Sequence, residues 1–188
     1  MAGKVIIISA PSGCGKSTII NAILSRGDID LRFSVSATSR SPREGEKHGV
    51  NYFFLTEEDF RKKIAEGAFV EYEEVYPGRF YGTLHSEVKR ICGENHNVVL
   101  DIDVKGGMNV KRRYGDDARS IFIMPPSVEE LRRRLESRAT DTIDVINERV
   151  SKAEFEMSFA PNYDFTVVND ELAVAVEETR RLITEFIS

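Results

Sequence analysis

Short β-branched runs alternate along this chain with longer amphipathic stretches. That alternation predicts an α/β protein built on a parallel sheet, since a buried parallel strand reads as a continuous apolar run. The first run follows Lys4. A helix is expected after it from about Ser17 to Arg26, with Gly27 as its stop. A short strand is expected at residues 32–36, and core strands at 97–100, 118–124 and 165–168. Helices are expected over 85–92, from a turn at Gly106-Gly107 to about Tyr114, and from Ser127 through Leu135, where Ser127 and Glu130 read as a capping box. Residues 140–157 are polar at first and then amphipathic. Asp170 reads as the cap of a C-terminal helix carrying Leu172, Val176, Ile183 and Ile187 on one face.

Between residues 37 and 83 the pattern changes. Pro42, Pro77 and several glycines punctuate two aromatic-rich strands, at 52–54 and 69–75, and a short helix capped by Thr56 with Asp59 and stopped at Gly67. This reads as a small β-rich insertion. The expected organisation is a core of residues 1–36, 84–125 and 165–188, a lobe at 37–83, and a helical segment at 126–164 that begins just after Pro125.

Composition narrows the function class. A chain of 188 residues with 41% hydrophobic and 30% charged residues holds one substantial core. A net charge of −5 argues against nucleic acid or a membrane surface as the main partner. No run reaches the ~18 apolar residues of a membrane span, and the N-terminus enters a strand with no room for a signal peptide, so a cytoplasmic protein is expected. Cys14 and Cys92 lie far apart in the sequence, which argues against a disulfide framework, and Cys14 reads as filler, or as an oxidisable thiol near a helix N-terminus. His48, His85 and His96 show no metal-ligand spacing and are expected at the surface.

Four groups carry candidate chemistry. In the turn Ser12-Gly13-Cys14-Gly15-Lys16-Ser17-Thr18 the glycines let several N–H groups point at one anion. Lys16 adds a charge for β- and γ-phosphates, and Ser17 a hydroxyl for Mg²⁺. Ala10 stands where the full Gly-x-x-x-x-Gly-Lys-[Ser/Thr] pattern has its first glycine. Asp101 and Asp103 close an apolar strand and face a cation or donor-rich ligand, or else cap the Gly106-Gly107 turn. Arg40 and Arg43 flank Pro42 among Ser36, Thr38 and Ser39, with Tyr52 and Tyr81 as phenolic donors. They suit one anion, or a loop stabilised by its own side chains. Arg134, Arg138 and Arg149 form a basic group on a helical segment, a phosphate clamp or a solvated arm.

The runs SAPSGCGKST, FSVSATSRSPREGEKHGVNYFF, FVEYEEVYPGRFYGT, VVLDIDVKGG and IFIMPPSVEELRRRLESRAT follow one another as in guanylate kinases, and this resemblance spans essentially the whole chain. It implies a P-loop kinase core with a parallel central sheet flanked by helices, an inserted β-rich GMP-binding lobe and a helical lid. It implies transfer of a phosphoryl group from ATP to GMP, and to dGMP, by a monomer or small homo-oligomer using Mg²⁺. By resemblance, residues 12–18 hold the ATP phosphates, with the metal at Ser17 and, through water, at Asp101. Arg40, Arg43, Tyr52 and Tyr81 hold the GMP phosphate, and Ser36, Glu71, Thr83 and Asp103 surround guanine. Arg138 and Arg149, with Arg134, reach from the lid to the phosphates, and Asn169 lies beside the ATP base.

Elementary chemistry agrees. Guanine presents N1–H beside an exocyclic amine, and carboxylates such as Glu71 and Asp103 accept from both, whereas adenine would leave a carboxylate unpaired. A phosphopeptide-binding scaffold domain and a kinase of phosphorylated sugars are the alternative readings. Three departures from the family pattern stand out: Ala10, one extra residue in Tyr76-Pro77-Gly78-Arg79-Phe80, and no glycine in Ser137-Arg138-Ala139-Thr140.

Overall fold

The structure is a computed structural model that describes residues 3–137 and 142–188. In chain order its elements are β1 (Val5–Ser9), α1 (Lys16–Arg26), β2 (Leu31–Phe33), β3 (Ala37–Thr38), β4 (Phe53–Phe54), α2 (Glu57–Ala65), β5 (Phe69–Tyr76), β6 (Arg79–Leu84) and α3 (His85–Gly93). They continue with β7 (Asn97–Asp101), α4 (Val104–Tyr114), β8 (Ala118–Met124), α5 (Val128–Ser137), α6 (Ile143–Met157), β9 (Phe165–Val168) and α7 (Leu172–Ile187).

Five strands form a wholly parallel sheet in the order β2-β7-β1-β8-β9. Its centre is β1, where every residue is buried because both faces are covered. Ile6 and Ile8 pack with Ile19 and Ile23 of α1 and Ile183 of α7, while Val5 and Ile7 pack with Val88 and Ile91 of α3 and Val110 of α4. This two-sided burial is why the strand reads as an unbroken apolar run. The second sheet, β4-β3-β6-β5, is mixed and covers a separate cluster in which Phe60 of α2 stacks on Phe69 at 4.3 Å and on Phe80 at 5.2 Å. No helix among the described residues is long and apolar enough to cross a membrane.

Several boundaries differ from the sequence reading. The strand expected at 32–36 ends at Phe33, because the chain leaves the core there and re-pairs two residues past Val35 as β3 of the second sheet. Gly106 and Gly107 form no turn. They lie inside the first turns of α4, where a side chain on Gly106 would meet Glu71 Oε2 at 2.9 Å and one on Gly107 would meet Tyr163 Oη at 2.3 Å. Their role is close approach of a helix to its neighbours. Asp170 does not cap α7. Glu171 holds that position without a side-chain bond, and the Asp170 carbonyl accepts from Arg134 instead. His85, expected at the surface, is partly buried, and burial lowers its pKa. The expected caps at Thr56 and Ser127 are present, accepting from Asp59 N at 3.0 Å and Glu130 N at 3.1 Å.

The segment Tyr76-Pro77-Gly78-Arg79-Phe80, longer by one residue than the resemblance implies, spans the tip of the β5–β6 hairpin. Pairing shifts between Glu74 and Tyr76, and Gly78 turns the chain with φ +74°. Below the tip Glu73 stays opposite Tyr81 and Glu71 opposite Thr83.

Candidate active site

The turn between β1 and α1 is shaped by two glycines, Gly13 at φ +94° and Gly15 at φ +82°. At Gly15 a side chain would also strike Asn169 Nδ2 at 2.6 Å. That amide donates to the Cys14 carbonyl at 2.8 Å and holds the turn against the end of β9. Ala10 is accommodated without strain, since Asn95 alone among the described non-glycine residues has a positive φ. The Cys14 thiol is buried, and burial pushes its pKa up to about 12, the reverse of a reactive cysteine.

Parallel pairing sets Asp101, the last residue of β7, beside Ile8. Its carboxylate therefore reaches the first turn of α1. Lys16 Nζ lies 2.6 Å from Asp101 Oδ1 and donates to the Ile102 carbonyl at 3.1 Å, and Ser17 Oγ donates to Asp101 Oδ2 at 3.2 Å. These groups open on a cavity of about 520 Å³ walled by residues 10–18, residues 101–103 and Glu156 of α6. With the positive end of α1 aimed into it, the cavity suits a polyphosphate.

A second cavity, of about 140 Å³, lies on the other side of residues 101–103 and is closed by the β5–β6 hairpin, Ser36 and Tyr52. Glu71 is buried in its wall. Thr83 Oγ1 donates to Glu71 Oε1 at 2.7 Å, and burial, reinforced by the neighbouring Asp103 charge, pushes the Glu71 carboxyl up to about 7. Asp103 Oδ1 caps α4, accepting from Lys105 N at 2.7 Å and Gly106 N at 2.8 Å. Asp103 thus caps a helix, not the expected Gly106-Gly107 turn, and it also lines the cavity.

Arg40 lies against Tyr52, its guanidinium 5.2 Å from the ring centre, and is hydrogen-bonded to Tyr81, whose ring stands 6.0 Å from that of Tyr52. Both arms of its fork hold Glu46, at 2.7 Å each, and the Arg43 backbone N–H donates to the same carboxylate at 2.7 Å. This pairing raises the Arg40 pKa and holds Glu46 down at about 2. Arg43 itself is exposed.

Arg134 stands away from the phosphate cavity. It donates to Glu130 at 2.7 Å, to the Asn169 carbonyl at 2.8 Å and to the Asp170 carbonyl at 3.2 Å, and shares with Asn169, Gly15 and Thr18 a groove of about 310 Å³. Arg138 lies outside the described residues. Arg149 is partly buried on α6, two turns before Glu156 and so on the same helix face.

Three acids of this region escaped the sequence reading. Glu46 sits three residues past Arg43, Glu73 shares the strand face of Glu71, and Glu156 is buried at the phosphate turn with Oε2 lacking a hydrogen-bond partner. Only the i, i+2 spacing of Glu71 and Glu73 on a strand was a readable signal.

The guanylate kinase family model matches residues 2–186. A guanylate kinase of Bacteroides thetaiotaomicron is 56% identical over 188 residues, covering 100% of this chain and 92% of that one. One of Porphyromonas gingivalis is 52% identical over 185 residues, covering 98% of each. The crystal structure of guanylate kinase from Anaplasma phagocytophilum superposes with a TM-score of 0.77 at 30% identity, covering 98% of this chain and 86% of that one. A glycine turn over a polyphosphate-sized cavity and an acid-lined cavity beside it thus occur in a chain matched end to end by one kind of protein: it belongs to the guanylate kinase family.

Proposed function

We infer that the protein transfers the γ-phosphoryl group of ATP to GMP, giving ADP and GDP. The observation that carries this reading is the shared wall of the two cavities: Asp101, Ile102 and Asp103 line both. A donor phosphate held by the glycine turn and an acceptor nucleotide held by the β5–β6 hairpin would meet across those three residues. Such transfer needs no side-chain nucleophile. A phosphate oxygen of GMP attacks the γ-phosphorus, the new P–O bond forms, and the bond to the bridging oxygen breaks to release ADP. Holding the two groups in line is worth about 7–11 kcal/mol of the barrier.

Roles follow from placement. Residues 12–18 hold the ATP phosphates through backbone N–H groups, with Lys16 as the point charge and Thr18 at the rim. Asn169, with Arg134, flanks the ATP base in the groove they share. Arg40, Arg43, Tyr52 and Tyr81 hold the GMP phosphate, the Arg40 fork exchanging its internal carboxylate for the phosphate. Glu71, Thr83, Asp103 and Ser36 read guanine. The same base and phosphate contacts serve dGMP. On the family resemblance alone, Arg138 and Arg149 are assigned to the transferring group.

The Ser17 hydroxyl and the Asp101 carboxylate, 3.2 Å apart, are hard oxygen donors of the kind Mg²⁺ prefers, so the residues present fit that ion, with Ser17 as direct ligand and Asp101 acting through water. When bound, the ion offsets negative charge on the β- and γ-phosphates.

A coupled assay with Mg-ATP against GMP, dGMP, AMP and UMP tests the reading. GMP and dGMP are expected to turn over, with AMP disfavoured by about 10⁴-fold in kcat/KM because it leaves buried carboxylates unpaired. Equal turnover of AMP would overturn it.

A further inference from the structure

One acid of the second cavity has no part in the roles above. Strand alternation sends Glu73 to the same face of β5 as Glu71, and the antiparallel register sets it opposite Tyr81. It lines the cavity together with Glu71 and Asp103. Its carboxyl is hydrogen-bonded to that of Asp103, and burial first, then the Asp103 charge, raises its pKa. From α6 it is faced by Lys152 and Glu156. No lysine or arginine is among the described residues that line the cavity.

With Asp101, which Lys16 and Ser17 already engage, four carboxyl groups line this small space, and the other three leave an excess of acceptors that suits a ligand rich in N–H groups. Guanine brings three hydrogens to this edge: one on N1 and two on the 2-amino group. Glu71 and Asp103 can take the N1 hydrogen and the amine hydrogen next to it. The second amine hydrogen points away from that pair and requires another acceptor.

Resting on the assignment of this cavity to GMP, we propose that Glu73 accepts the second hydrogen of the guanine 2-amino group and selects against purines that lack the amine. Glu73 then adds to base discrimination without touching the reacting phosphates. Removing it weakens a nucleotide that carries the amine and spares one that does not.

The test compares Kd for GMP by calorimetry with Kd for IMP by competition, and kcat for GMP, in wild type, Glu73→Ala and Glu73→Gln. Glu73→Ala is expected to weaken GMP about tenfold, the loss of one charge-assisted hydrogen bond. IMP affinity and kcat should stay within about twofold, since neither depends on that bond. Glu73→Gln keeps an accepting oxygen and should recover most of the loss. Equal weakening of GMP and IMP, or no change in either, would overturn the assignment of Glu73. Glu71→Gln tests the underlying reading separately: if it leaves GMP affinity unchanged, the cavity is not the GMP site.

Discussion

Glu71 ties binding to pH and to stability with opposite signs. Its carboxyl, held near 7 by burial and faced by Asp103 and Glu73, must ionise to accept from guanine N1–H. As pH falls below about 7 the accepting form is lost, so the GMP Kd should rise toward tenfold per pH unit. Folding responds the other way. A pKa raised from 4.5 to about 7 means the native state holds a proton that the unfolded chain has released, so the contribution to stability is present below about 4.5 and is lost as pH rises through about 7. Glu71→Gln should therefore weaken GMP by at least about tenfold, and at pH 8 it should unfold at a higher urea concentration than wild type. An identical midpoint for the two proteins at pH 8 would show that the buried charge carries no penalty. Glu46 and Glu156 show why such groups escape inspection of a sequence. An acid near arginines reads as solvated charge, and only the folded loop puts Glu46 into the fork of Arg40.

At the level of elements, β1, β7 and β8 were legible because each is buried on both faces and needs no partner to be recognised. β3 and β6 were not. Arg79–Leu84 mixes polar, aromatic and glycine residues, and its identity as a strand comes from pairing with β5 and β3. The Gly106-Gly107 pair was misread for a related reason: two glycines signal a turn locally, while the requirement they meet lies in Glu71 and Tyr163, distant in sequence. The two positions should separate on substitution. Gly106→Ala presses on the Glu71 carboxylate and should raise the KM for GMP several-fold, with about 1–2 kcal/mol of destabilisation. Gly107→Ala meets the Tyr163 ring and Ser9 and should cost more stability, about 2–3 kcal/mol by urea unfolding, with KM little changed. Equal effects on KM would refute the distinction.

Across the whole molecule, the phosphate turn follows β1 of the first sheet and the β5–β6 hairpin belongs to the second, so a change in the turn can be read apart from one in the hairpin. Lys16→Ala removes the point charge of the phosphate turn and its ion pair with Asp101. We expect kcat to fall by about 10²–10³-fold, while calorimetry finds GMP affinity within about twofold of wild type. A matching loss of GMP affinity would mean that Asp101, released from Lys16, disturbs the second cavity as well.

The segment Asp101-Ile102-Asp103 connects those sites covalently. The two aspartates are separated by one buried residue, roughly 7 Å along an extended chain, and the first ends a strand that is locked into the core sheet. The span between the two aspartates is thus a short ruler made of peptide bonds. Substrates that differ in base or sugar alter how firmly they seat, but not the spacing of the two acids in the wall between the cavities.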